Sequence, residues 1–141
     1  MASFSLYSEK TRRLIHAIRS LLRRNRIDLR LSSSQPRDEH GVQLHGFFIA
    51  PNKRTRGKIC VHCDSDESIF LHTLIHEFCH FLYWRLRRFH PGRTYYEQEF
   101  FVEVFAEKIL CEFSKMNLFD TRRLRKIRRI SHTYLRFVRN L

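Results

Sequence analysis

The chain has 141 residues with a formal charge of +13, of which 43% are hydrophobic and 13% aromatic. That length accommodates one domain with a modest core, and the apolar share is too high for a disordered chain. Charges at Glu9, Lys10, Arg12, Arg13, Arg19, Arg23 and Arg24 interrupt every apolar run of the first 25 residues, so neither a signal-peptide core nor a membrane span is expected there, and the expected location is cytoplasmic.

From Glu9 to Arg26, Leu14, Ile15, Ile18, Leu21 and Leu22 recur at helical spacing with arginines opposite, which predicts an amphipathic helix. Three short strands are expected next, at Ile27–Leu31, Val42–Ala50 and Lys58–Cys63, each bounded by Ser, Pro, Asn or Gly. The last two are expected to form a hairpin through 51–57. Asp64-Ser65-Asp66-Glu67 carries helix-start chemistry, because short polar side chains accept from free backbone amides and negative charge suits the positive helix end. A helix is predicted from about Asp66 to Arg88, ended by Pro91-Gly92.

A second long helix is predicted over Tyr95–Ser114, with Phe101, Val104, Phe105, Ile109 and Leu110 on its apolar stripe. Asn117–Asp120 breaks it. The last helix, Thr121–Val138, is expected to bury Leu124, Ile127, Tyr134, Leu135 and Val138. Residues 121–141 hold eight Arg and Lys and no acid. The organisation expected is a catalytic domain over 1–120 and a basic C-terminal helix over 121–141, packed on that domain or covering its cleft.

The chemistry centres on His76-Glu77-Phe78-Cys79-His80. Histidines four apart stack on one helical face and can grip one Zn2+ ion, with Glu77 beside them to take a proton from zinc-bound water. A catalytic zinc keeps three protein ligands and one open position, so a third donor must come from elsewhere. Glu97, Glu99, Glu103 and Glu107 on the next helix are the candidates. Glu99 and Glu103 are one turn apart, so one can ligate while the other orients a liganding imidazole; Glu99 is taken as the ligand and Glu103 as its support. His72 is on the same face as His76 and is read as a polar residue at the helix start, with a ligand or supporting role as the alternative. Cys60-Val61-His62-Cys63 has half of a structural zinc motif without a second pair, so its cysteines, like Cys79 and Cys111, are read as reduced thiols, with core packing favoured over chelation at 60–63.

The segments 73–82 (TLIHEFCHFL) and 99–106 (EFFVEVFA) resemble the gluzincin metallopeptidases, and most nearly the minimal gluzincins and the ImmA/IrrE-like peptidases. Phe105-Ala106 and Ile109-Leu110 match the end of that family's Glu helix, whereas Val102 stands where a small residue is usual and Glu103 where Asn or Asp is usual. The resemblance covers roughly 58–110. It implies an α+β, zincin-like fold, zinc held by His76, His80 and a Glu such as Glu99, peptide-bond hydrolysis, and an edge strand near Ile59–Cys63 that holds an extended substrate. It also implies that a terminal segment can close the cleft. Phe81-Leu82-Tyr83-Trp84 and His90-Pro91-Gly92 resemble instead the SprT-like peptidases, which would make His90 the third ligand; Arg93, Tyr95 and Tyr96 are further candidates for oxyanion contact.

The expected partner is therefore a peptide or protein substrate. The positive charge adds DNA or another polyanion as a candidate partner. The competing reading is a basic nucleic-acid-binding or regulatory protein whose metal site is structural or inactive.

Overall fold

The computed structural model describes residues 7–38, 40–41, 43–86 and 94–139. The order is α1 (Glu9–Arg24), β1 (Ile27–Ser32), β2 (Gly46–Ile49), β3 (Gly57–His62), α2 (Glu67–Leu86), α3 (Tyr95–Lys115), a 3-10 turn at Thr121–Arg123, and α4 (Leu124–Arg139). The fold is α+β, four helices with a small mixed sheet. Among the described residues no helix is long and apolar enough to cross a membrane.

Ser8 caps α1, its hydroxyl accepting from the Thr11 amide at 3.4 Å. The helix stops at Arg24, because Arg26 takes a left-handed φ of 61° and turns the chain into β1. Leu14, Ile15, Ile18 and Leu22 are buried, whereas Leu21 leaves the expected stripe and stands 40% exposed.

The strand order is β1-β3-β2, with β1 parallel and β2 antiparallel to β3. Ile27, Leu29, Ile59 and Val61 form the buried face, and Cys60 and His62 alternate onto the other, half-exposed face. The segment 59–63 is thus not an edge: β3 is central, with both edges engaged, and β2 is an outer strand. The reason is connectivity. The hairpin puts β2 on one side of β3, and the chain before it pairs β1 on the other side in parallel, a topology that alternation along one strand does not specify.

Helix α2 starts where the acidic run predicts, with Asp66 Oδ1 accepting from the Ser68 amide at 2.9 Å. Every residue from Phe70 to Cys79 is buried, so this helix is surrounded rather than amphipathic. The expected continuation beyond Leu86, and with it His90, Pro91, Gly92 and Arg93, lies outside the described residues.

Thr94 and Glu97 close a capping box at the start of α3, Thr94 Oγ1 accepting from the Glu97 amide at 3.2 Å. The face that α3 buries is not the predicted apolar stripe. Glu99, Val102, Glu103, Ala106 and Leu110 are buried, whereas Phe101, Val104, Phe105 and Ile109 are only partly covered. The helix is rotated to carry two acids inward, where partners on α2 receive them.

The C-terminal segment is stitched to the start of α2. Arg123 Nη2 lies 2.6 Å from Glu67 Oε2, Lys126 pairs with Asp66, and Glu67 Oε1 also accepts from the Ser8 amide at 2.6 Å. Ile127 is fully buried in the same core as α2 and α3, and Ser131 and Val138 are buried along the same helix. Helix α4 therefore contributes to the core. Replacing Ile127 with Ala should cost about 2–5 kcal/mol, the range for truncating a buried aliphatic side chain; a fall in the urea midpoint with unchanged slope would register it, and no change would mean that α4 is a detachable appendage.

Candidate metal centre

Four elements converge on one point. Residues 76 and 80 are one turn apart on α2, so both imidazoles project from the same face, and their Nε2 atoms are 3.2 Å apart. Helix α3 brings Glu99 against both: Oε1 lies 2.8 Å from His80 Nε2 and Oε2 lies 3.2 Å from His76 Nε2. Two imidazole nitrogens and a carboxylate oxygen within 4.8 Å of one another make a group that can hold a metal ion.

The donor set fits zinc by its own dimensions. Tetrahedral coordination with bonds of about 2.0–2.1 Å puts ligand atoms roughly 3.3 Å apart. The Nε2–Nε2 separation matches this; Glu99 meets the two imidazoles with different oxygens, Oε2 at His76 and Oε1 at His80, so its carboxylate has to turn to present one of them to a shared ion.

Behind this triad, Glu103 is fully buried and divides its carboxylate between two histidines. Oε2 lies 2.6 Å from His76 Nδ1, and Oε1 meets His72 Nε2. The contact with Nδ1 orients His76 so that Nε2 faces the triad, the arrangement by which a carboxylate fixes the tautomer of a liganding imidazole. His72 is therefore not a solvated residue at the helix start; it is buried and completes the pairing of Glu103.

The other two candidate acids, Glu97 and Glu107, have separate tasks. Glu97 caps the helix, and Glu107 lies 2.9 Å from His132 Nε2 and 3.3 Å from Arg128 Nε on α4. The one-turn spacing in the sequence singles out Glu99 and Glu103 among the four candidates, and these are the two that meet the histidines of α2.

Glu77 lines a cleft of about 260 Å³ in front of the histidines, with Leu44, His45, Gly46, Thr73 and Tyr134 on its other walls. Gly46 sets the closeness of the two layers: a Cβ there would lie 2.8 Å from the Cys60 carbonyl oxygen, 2.9 Å from Thr73 Cγ2 and 3.3 Å from Glu77 Cγ. Only a residue without a side chain lets the start of β2 lie this close to α2.

Tyr134 of α4 was expected only as an apolar contact. Its hydroxyl donates to Glu99 Oε2, and its ring meets the His76 ring edge-on at 5.3 Å between centroids. The one clue in the sequence was a side chain with a polar tip on the inward face of a basic helix. The side chains of Tyr95 and Tyr96 lie outside the described residues. All four cysteines are free thiols and none joins the triad.

Burial pushes the Glu77 carboxyl above the ordinary carboxylate range, against the opposing pull of His76 and His80. Burial acts in the same direction on Glu99 and Glu103, but the imidazole contacts outweigh it. Glu99 is held well below its usual range and Glu103 is brought down to about 2. Burial lowers His76, yet Glu103 and then Glu99 more than reverse this and raise it to about 10.

Comparison with protein-family models, with curated proteins and with solved structures finds no match to this chain.

A metal must displace the proton that His76 retains up to about pH 10 in the metal-free protein. Apparent zinc affinity should therefore rise with pH, by about tenfold per unit for each proton displaced. Calorimetric titration in buffers of different ionisation enthalpy should show about one to two protons released at neutral pH. Binding independent of pH would mean that the metal lies elsewhere.

Proposed function

We propose that the protein is a zinc metallopeptidase of the gluzincin type, with one zinc held by His76, His80 and Glu99. The observation that carries this reading is the convergence of both Nε2 atoms and the Glu99 carboxylate, with Glu103 backing His76 and Glu77 on the wall of an adjoining cleft. A histidine-bearing helix on a small mixed sheet, followed by a helix carrying the third donor, supports a zincin-like architecture.

When bound, zinc supplies Lewis acidity: it lowers the pKa of water and polarises a carbonyl. The protein residues do the rest. Glu77, its carboxyl raised by burial, takes a proton from the attacking water and returns one to the leaving amine. Glu103 keeps His76 in register, and the buried surroundings strengthen each charge interaction. An extended peptide lies along β2, the outer strand, since the residues leading into it, Gln43–Gly46, line the cleft.

Helix α4 holds the site in a restrained state, because the Tyr134 hydroxyl occupies Glu99 Oε2 on the side from which substrate approaches. Deleting the helix is a poor test, since Ile127 would leave a void in the core. Tyr134→Phe removes the hydroxyl and keeps the ring; peptide turnover should rise severalfold with zinc content unchanged. A fall in turnover would give the hydroxyl a part in the reaction instead.

The decisive variant is Glu77→Gln. It should retain stoichiometric zinc, measured by atomic absorption, and lose hydrolysis of a quenched fluorescent peptide library by about 10²–10⁴-fold, the usual contribution of a general base. Zinc retention with no hydrolysis by the wild type under any condition would favour a structural metal in a regulatory protein.

A further inference from the structure

A groove of about 600 Å³ runs along the outer side of α4, lined by Arg125, Arg128, Arg129, His132 and Arg136, with Thr121 and Leu124 at one end. Arg13 pairs with Glu9, Arg56 with Asp28 and Arg122 with Asp120, whereas other surface arginines, Arg12 and Arg23 of α1 among them, have no acidic partner among the described residues. In the groove, Glu107 engages Arg128 and His132, but Arg125, Arg129 and Arg136 have no acidic partner among the described residues. Like charges at i and i+4, as at 125 and 129, repel each other along a helix. Lined up along one side of a single helix, they add their fields there.

We infer that this groove binds the phosphate backbone of nucleic acid. From Arg125 to Arg136 the helix rises about 16 Å, which spans several phosphates of one duplex strand. Guanidinium groups offer planar, forked donors suited to phosphate oxygens. The helix is a poor membrane anchor: its apolar residues Ile127 and Val138 are spent inside the protein, leaving Phe137 as its one exposed large apolar side chain among the described residues. Bilayer binding requires an apolar face free to insert. Recognition through phosphates alone is independent of base sequence. The inference does not depend on the metal or on hydrolysis.

The test is fluorescence anisotropy of the full chain with labelled 20-base-pair duplexes of two unrelated sequences, across a salt series. Both should bind equally, with log affinity falling linearly against log salt. The triple variant Arg125→Gln/Arg129→Gln/Arg136→Gln should bind at least tenfold more weakly, with a slope shallower by about 2 to 3, as expected for three lost phosphate contacts. Lysine at the same positions should restore most of the affinity. The altered side chains are all exposed, and an unchanged thermal midpoint would confirm that folding is intact. The triple variant Arg12→Gln/Arg19→Gln/Arg23→Gln on α1 removes the same charge and should leave the slope nearly unchanged. An equal loss in that control, an unaltered slope in the groove variant, or tighter binding to phosphatidylserine vesicles than to duplex at the same salt would overturn the inference.

Discussion

The carboxylate of Glu103 is fully enclosed, and a buried carboxylate without partners is costly enough that the chain would protonate it or refuse to bury it. Here it meets imidazoles at positions 72 and 76, one turn apart on α2. That shared pairing locks α3 against α2 at a single axial position and a single rotation. Once α3 is so placed, Glu99, one turn earlier on the same face, reaches the Nε2 atoms of His76 and His80. Placement of the third donor is thus a consequence of satisfying Glu103, and a shift of α3 by one residue would undo both.

The cleft depends on a second close approach. Gly46 lets the start of β2 press against Thr73 and Glu77, beside the cleft that Gln43, Leu44 and His45 also line. This close approach follows from the antiparallel register that sets Gly46 opposite Val61.

Helix α4 joins two properties that a sequence profile would treat separately. Its inner face supplies Ile127 to the core and Tyr134 to the candidate site, and its outer face carries Arg125, Arg129 and Arg136, which no acid among the described residues neutralises. Arg123 and Lys126 tie its beginning to the acids at the start of α2, which sets where along α2 the tyrosine arrives. A ligand on the outer face and the hydroxyl on Glu99 thus share one rigid element.

Local patterns determined the identity of the elements. Helical periodicity marked α1, α3 and α4, the acidic start marked α2, turn residues bounded the strands, and the four-residue spacing put His76 and His80 on one face, because each of these depends on neighbours within a turn or a pleat. Tertiary structure decided what each face meets. Periodicity treats a glutamate as a marker of the wet side, so it assigned α3 the stripe Phe101–Leu110, whereas the helix turned Glu99 and Glu103 inward to partners 19 or more residues earlier in the chain. The place of β3 at the centre of the sheet, the part of His72 in pairing Glu103 and the reach of Tyr134 were likewise set by contacts distant in sequence. Such contacts leave no periodic trace, since the free energy of burying a charge depends on which partner the fold delivers to it.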